Sequence, residues 1–383
     1  MKLAVNTLLV SVGALLTLGM VMLYSSSMAN EVRNHQVGTH YLRQQLIWCS
    51  LGIVGCFAMT LLDYRALKKF TLPLLVFATL LLVLVLIPHV GLKINGARRW
   101  FGFGGVRFQP SELAKLALII FIAWYGERYQ RQMNTIRHGI AIPGAFIAVV
   151  LALIIVEPDY GSTMLLAAVG AAMLLLAGVR WKHFLPPVFA GAGGLAVLIW
   201  QNPLRMKRVL SWWDLESTKS GVGYQAWQAM LALGAGGWTG LGLGNGRQKL
   251  GFVPEHHTDF ILSIIGEELG FVATLAVIAA FAAIIACGLY IAHRARDTFG
   301  FLLGAGITLL IGLQAFINIA VVTSVFPNKG LPLPFISYGG SNLLMMLVCV
   351  GMLLSIARQA REPASVSDRA SETDEIPGLQ TAQ

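Results

Sequence analysis

The chain is expected to fold as an all-α polytopic membrane protein with about ten transmembrane helices. Three observations carry that expectation. The sequence is 56% hydrophobic and 12% charged, about half the charge of an ordinary soluble domain. Apolar runs of about 20 residues recur from end to end, the length needed to cross a bilayer. The charges fall between the runs, as they must when lipid offers the backbone no hydrogen bonds and helices satisfy it internally.

The runs place spans at about residues 5–27, 44–62, 70–88, 111–126, 139–157, 161–178, 184–200, 258–292, 299–324 and 340–358. The first follows Lys2 and ends near Ser27-Met28-Ala29, which mimics a secretory signal. Its apolar stretch of about 22 residues exceeds the 7–15 of a cleaved signal, so it is expected to stay as a helix. An even number of spans puts both termini on one side. Lys2, Arg65, Lys68, Lys69, Arg128, Arg131, Arg137, Arg180, Lys182, Arg294, Arg296, Arg358, Arg361 and Arg369 then share that side. The positive-inside rule makes it the cytoplasmic one.

One membrane domain is expected over 1–361, with a long outer loop at 201–257 between spans seven and eight. Within that loop, 224–233 has the pattern of a short amphipathic helix, and Trp212 and Trp213 suit the membrane interface. Residues 362–383 are rich in Ser, Asp and Glu, and are expected to be a disordered cytoplasmic tail. No internal repeat is visible. The net charge of +10 sits in topology-setting loops, so it does not indicate nucleic acid. Cys49, Cys56, Cys287 and Cys349 lie in apolar runs without metal or redox spacing.

Chemistry concentrates in a few stretches. Pro254-Glu255-His256-His257-Thr258-Asp259 leads into span eight, and Glu267-Glu268 follows two turns later. As one helix over 258–292 the span would be about 52 Å long, against a hydrocarbon core of about 30 Å. The excess is expected to project outward, with Asp259 in the headgroup layer and Glu267 and Glu268 near the interface. At four-residue steps, Asp259, Ser263 and Glu267 would share one helix face. Taken locally, Asp259 also reads as a first-turn acid and the glutamates as partners of another helix. The His pair lacks the spacing of a metal site.

The cluster Lys93, Arg98, Arg99 and Arg107 defies the topology rule, which suggests retention for binding. Pro110-Ser111-Glu112 starts a helix, with Ser111 as candidate cap and Glu112 and Lys115 as i, i+3 neighbours. Arg98, Arg99 and Lys115 suit a phosphate-binding pocket. The alternative is a local ion pair. Residues 326–341, with three prolines and three glycines around Lys329, cannot be helical throughout, and such backbone at membrane depth lies buried or lines a cavity. Glu157-Pro158-Asp159-Tyr160-Gly161 makes a tight turn. Carboxylates and cations thus gather on one side, where a polyprenyl-diphosphate substrate would meet them.

At these residues the chain strongly resembles the SEDS family (shape, elongation, division and sporulation proteins). The motifs are Gly96-Ala97-Arg98-Arg99-Trp100, Gln109-Pro110-Ser111-Glu112-Leu113-Ala114-Lys115, Pro158-Asp159-Tyr160-Gly161, Gly242-Leu243-Gly244-Asn245-Gly246-Arg247-Gln248-Lys249-Leu250, Pro254-Glu255-His256-His257-Thr258-Asp259-Phe260-Ile261, Gly266-Glu267-Glu268-Leu269-Gly270, and Pro332-Leu333-Pro334-Phe335-Ile336-Ser337-Tyr338-Gly339-Gly340-Ser341. Asn328-Lys329-Gly330-Leu331-Pro332 resembles the division branch more than the elongation branch. Asn342 stands where a second serine is common, and His256-His257 where Ala-His is common.

The resemblance implies a peptidoglycan glycosyltransferase that polymerises lipid II into glycan strands in a bacterial cytoplasmic membrane. It implies an outward cavity and Asp259 as the essential acid. Arg98, Arg99, Trp100, Glu112, Lys115, Gln248, Lys249, His257, Glu267, Lys329 and Ser337 form the candidate substrate-binding set. Partners implied are lipid II and the nascent strand, a class B penicillin-binding transpeptidase, other division proteins and membrane lipid. No cofactor is required by any motif; a divalent cation, Mg or Mn, is a candidate aid held by Glu112 or the neighbouring acids. A lipid II flippase and a non-catalytic division scaffold remain alternatives.

Overall fold

The computed structural model describes residues 1–34, 40–94, 96–103, 106–253 and 257–360. Glu255, His256 and the tail 362–383 lie outside the described residues. The described chain is a helical bundle, made of α1 (Lys2–Asn34), α2 (His40–Leu61), α3 (Leu67–Leu86), α4 (Pro110–Arg128), α5 (Ile142–Val156), α6 (Tyr160–Leu176), α7 (Trp181–Trp200), α8 (Pro203–Trp213), α9 (Tyr224–Ala235), α10 (Ile261–His293), α11 (Thr298–Val322) and α12 (Gly340–Gln359).

Eight of these are long and apolar enough to cross a membrane. The expected count of ten is not reached by length and composition, because α6 is a shorter apolar helix of 17 residues and α4 is absent from the eight. Both are interior helices. α4 packs against α3, α5, α6 and α11, and nearly all of it from Pro110 to Tyr125 is buried. An interior helix meets protein on most sides, so it tolerates Glu112 and Lys115 where a lipid-facing helix would not. At the other extreme, α7 touches α6 and α8 but buries 6% of its apolar window.

Caps set several boundaries. The Asp159 carboxylate accepts from Ser162 N at the start of α6, and Asp297 accepts from Gly300 N at the start of α11. Pro110 occupies the first turn of α4, where its missing N–H costs nothing. The cap of α4 is Gln109 rather than the expected Ser111, which sits inside the helix as a hydrogen-bond acceptor for the Gln109 side chain. The amphipathic pattern at 224–233 becomes α9. The basic stretch before Trp212 forms α8, a helix the sequence reading did not anticipate.

α10 departs most from expectation. It begins at Ile261, so Asp259 precedes it in a turn, and the shared face of Asp259, Ser263 and Glu267 does not form. It also breaks at Gly270, whose φ of 79° and ψ of −175° lie outside helical space. A Cβ there would approach Gly240 N to 2.4 Å. Residues 271–293 then span about 35 Å, close to the hydrocarbon thickness. The excess length is taken up by the break, not by projection of one rod.

The connection between α3 and α4 is a three-stranded antiparallel sheet of order β1-β2-β3, with β1 (Leu92–Ile94), β2 (Ala97–Phe103) and β3 (Val106–Phe108). It is the one strand-bearing part of the otherwise helical described chain. Lys93 lies opposite Arg98, and Arg107 opposite Gly102. Like charges directly opposite destabilise a hairpin, so this ribbon concentrates positive charge against its own stability. Alternation along β2 puts Arg98 and Arg99 on opposite faces.

Candidate functional site

The site forms where the turn at 257–260 meets the non-helical segment between α11 and α12. Asn318 and Gln314, four residues apart on α11 and fully buried, fasten the two together. Asn318 Nδ2 donates to the carbonyls of Asp259 and Leu331, both at 2.7 Å. Gln314 Nε2 donates to Pro332 O at 2.9 Å. From the other side, Ser337 Oγ donates to Thr258 O at 2.5 Å and accepts from Leu333 N at 2.8 Å. Tyr338 N donates to His257 O at 2.9 Å. Gln45 of α2 closes the far end, donating to Ser337 O and accepting from Gly339 N.

The Asp259 side chain rests against Gly330, where a Cβ would stand 2.5 Å from Oδ2. Lys329 is therefore the neighbour of the residue that Asp259 touches. On the opposite flank Gly161 packs on the same segment, its Cβ position 3.0 Å from Leu331 Cγ and 3.4 Å from Gly330 O. Three chain segments, 157–161, 257–260 and 329–331, thus converge.

Behind them lies a buried polar chain. Lys115 Nζ and Glu112 Oε2 are 2.9 Å apart, with side chains 1% and 4% exposed. Asn342 Nδ2 donates to Glu112 Oε2 at 2.9 Å. Lys115 also donates to Gln314 Oε1 at 3.4 Å. A buried ion pair is tolerable when further hydrogen bonds satisfy its oxygens. Asn342, noted as a departure from the family pattern, supplies one of them. The i, i+3 pairing expected of Glu112 and Lys115 is present, and it continues through Gln314 to the segment that holds Asp259.

The cationic ribbon divides in its contacts. Arg99 donates from Nε to Glu157 O at 2.7 Å and from Nη2 to Pro158 O at 2.6 Å, so its guanidinium clamps the 157–161 turn. Among the described residues Arg98 makes no ion pair, and neither does Lys329. Glu157 is fully buried and neither carboxyl oxygen has a hydrogen-bond partner. Burial first, then the charge of Asp159, push its pKa up to about 8 against the pull of Arg99. Asp159 accepts from Gln109 Nε2 at 3.2 Å. His257 is held near a pKa of about 4 by burial, so it is neutral at neutral pH. Its ring sits 4.7 Å from that of Tyr41.

Gln248, Lys249 and Glu267 gather in a second cluster at the Gly270 break. Glu267 accepts from Arg247 N at 2.8 Å and Gln248 N at 3.2 Å. Lys249 Nζ lies 2.5 Å from Glu268 Oε1 and donates to Ser25 Oγ and Gly244 O, both at 2.8 Å. Its three N–H donors are all used inside the protein. Glu268 also accepts from Gly244 N at 3.0 Å. The cluster ties the glycine-rich loop to α1 and α10. Trp100 lies on β2, half-buried, opposite Leu92 of β1. Sequence reasoning passed over Gln45, Gln314 and Asn318, although polar side chains in the middle of apolar runs were a usable signal.

Comparison with known proteins gives one consistent answer. The family model described as "Cell cycle protein", covering FtsW, RodA and SpoVE, matches residues 6–362. The chain is 41% identical over 350 residues to the "Probable peptidoglycan glycosyltransferase FtsW" of Trichlorobacter lovleyi, covering 91% of this chain and 92% of that protein. It is 36% identical to "Stage V sporulation protein E" of Bacillus subtilis over 347 residues, covering 91% and 95%. Among solved structures, a chain from a peptidoglycan synthase complex, described as coordinating polymerization and crosslinking, superposes with a TM-score of 0.76 at 28% identity, covering 93% and 98%. The crystal structure of Thermus thermophilus rod shape determining protein RodA superposes with 0.68 at 27% identity, covering 93% and 97%.

Proposed function

The chain belongs to the FtsW, RodA and SpoVE family, and on that premise we propose how its residues carry out glycan polymerisation. It is a polytopic membrane peptidoglycan glycosyltransferase, and its relatives' names agree with a role in cell division. The substrate is lipid II, and the growing strand remains linked to undecaprenyl diphosphate until transfer.

Asp259 takes the proton from the acceptor sugar 4-hydroxyl. The oxygen so freed attacks the anomeric carbon of the donor strand. A carbon–oxygen bond forms there as the bond to the diphosphate breaks, and undecaprenyl diphosphate leaves with the electron pair. Arg98 and Lys329 stabilise the charge on that leaving group. Arg99 and the Glu112–Lys115 pair act by holding the surrounding turns. His257 and Ser337 brace the turn that carries Asp259, Trp100 belongs to the cationic ribbon, and Gln248, Lys249 and Glu267 hold the glycine-rich loop to α1 and α10.

The observation that carries this reading is the placement of the Asp259 carboxylate on Gly330, one residue from a lysine without a carboxylate partner among the described residues. A divalent cation does not fit at Glu112. Glu112, the acid considered for it, is engaged by Lys115 and Asn342. No three His, Cys, Asp or Glu side chains converge among the described residues.

The site is taken to face outward from a bacterial cytoplasmic membrane, with both termini inside, on the strength of the Lys/Arg distribution. A class B penicillin-binding transpeptidase and other division proteins are the partners; the likeness to a chain of a peptidoglycan synthase complex supports this. The test is Asp259→Asn, assayed with lipid II and the transpeptidase partner. Loss of polymer is expected, and polymer at the normal rate would overturn the mechanism.

A further inference from the structure

We propose that an apolar cavity between α6 and α11 holds the isoprene units nearest the diphosphate of the lipid-linked donor, with Lys329 at its mouth. The proposal rests on the glycosyltransferase reading and locates a subsite within it. The cavity has a volume of about 190 Å³. Gly161 and Met164 of α6, Ile317 and Val321 of α11, and Leu331 form most of its walls, and apart from Lys329 the lining is apolar. An apolar cavity of about 150 Å³ is enough to hold benzene, so this one suits one or two isoprene units.

Lys329 is the charged residue in the lining. Its ammonium contacts the Met164 sulfur, a weak acceptor, and it forms no ion pair among the described residues. A half-buried ammonium with a thioether neighbour lacks the partner that would offset its desolvation. An anionic head supplies that partner, and an apolar chain attached to the head supplies what the walls lack.

Depth agrees with this occupant. α11 ends at Val322, so Ile317 lies about 8 Å inside its end. At 25 residues and about 1.5 Å per residue, α11 exceeds a hydrocarbon core of about 30 Å by about 4 Å at each end, which sets Ile317 just inside the hydrocarbon. Met164 on α6 is 38% exposed and Phe326, in the segment beyond α11, 40% exposed, so the cavity opens at the flank of α6. The chain of the ligand therefore leaves sideways into the bilayer. Gly330 links the cavity to chemistry, since the residue after Lys329 carries the Asp259 carboxylate against it. A diphosphate at Lys329 directs the attached sugar toward Asp259. A phospholipid shares the anion and the chain but has no anomeric carbon for the acceptor oxygen freed at Asp259 to attack, so the polyisoprenyl diphosphate is the assigned occupant.

Two measurements test this on the full-length protein with its transpeptidase partner in vesicles. First, Ile317→Trp fills the cavity from a half-buried wall. The KM for lipid II, which is donor as well as acceptor in the first transfer, is expected to rise about tenfold, with the thermal midpoint unchanged. Second, a photoreactive benzoylphenylalanine at position 164 is expected to capture radiolabelled undecaprenyl diphosphate. Excess unlabelled undecaprenyl diphosphate should abolish capture, and excess phosphatidylglycerol should not. An unchanged KM in a folded Ile317→Trp protein, or capture abolished equally by phosphatidylglycerol, overturns the proposal. Absence of polymer from the wild-type protein would instead overturn the reading beneath it.

Discussion

Asn318 donates a 2.7 Å hydrogen bond to the main-chain carbonyl of Asp259, and a second of equal length to that of Leu331. One buried amide thus sets the distance between the turn carrying the acid and the segment carrying Lys329 and Gly330. Both N–H groups of the amide are used, which fixes its orientation. Substituting it leaves two buried carbonyls without donors, each costing about 1–3 kcal/mol.

Asn318→Ala should therefore lower kcat for polymerisation by at least about tenfold with a smaller change in KM. The two mutations should be non-additive. In an Asp259→Asn background, Asn318→Ala should cost little further rate, because its effect passes through Asp259. Rate assays on the four-member cycle check this.

Gly330→Ala should act on the same carboxylate from the other side. The added Cβ would stand 2.5 Å from Asp259 Oδ2, the mobile end of a side chain, so the fold can yield where the catalytic geometry cannot. The expected outcome is a normal thermal midpoint with at least about a tenfold loss of polymerisation rate.

The Gly270 break should be far less forgiving. Its φ of 79° disfavours any side chain, and a Cβ there would collide with the main chain of Gly240 at 2.4 Å. Gly270→Ala should lower stability by several kcal/mol and reduce the yield of folded protein, measurable by thermal melting in detergent.

Lys249 and Glu268 form a buried pair 2.5 Å apart, with side chains 5% and 0% exposed. Lys249→Met strands the carboxylate and should cost about 3–5 kcal/mol. Adding Glu268→Met should recover much of that loss, because an uncompensated buried charge is costlier than an apolar pair of similar size. Melting temperatures of the single and double variants decide.

Glu157 gives a prediction about pH. Its folded pKa of about 8 lies above the ordinary carboxylate value, mainly through burial and then through Asp159. The folded state therefore holds a proton that the unfolded state has released. Stability from this group is present below the unfolded pKa and declines as pH rises to about 8. The slope is at most about 1.4 kcal/mol per pH unit. Glu157→Gln should flatten it, which melting curves between pH 5 and about 9 would reveal.

Much of the site was legible because its residue types are conspicuous. Acids and lysines in apolar sequence mark themselves, and the Glu112–Lys115 pair followed from helical spacing alone. Asp259 was singled out by the resemblance, whereas the helix face expected to carry it does not form, since the helix starts at Ile261. Gln314 and Asn318 went unremarked because an amide carries no charge, and its importance depends on which carbonyls lie across the bundle. Arg99 and Lys249 were legible as cations, whereas their contacts with main-chain carbonyls were not, because those carbonyls belong to distant turns.

The sequence by itself determined that the chain is a membrane bundle and that its carboxylates and cations gather around a few loops, because hydrocarbon makes apolar length and charge placement hard to violate. Tertiary structure decided what each polar group does. The break at Gly270 replaced an over-long rod, the ribbon turned a basic loop into opposed charges, and α11 fastened Asp259 against Gly330. Those outcomes depend on which main-chain groups meet across the bundle, and no local pattern in the chain encodes such meetings.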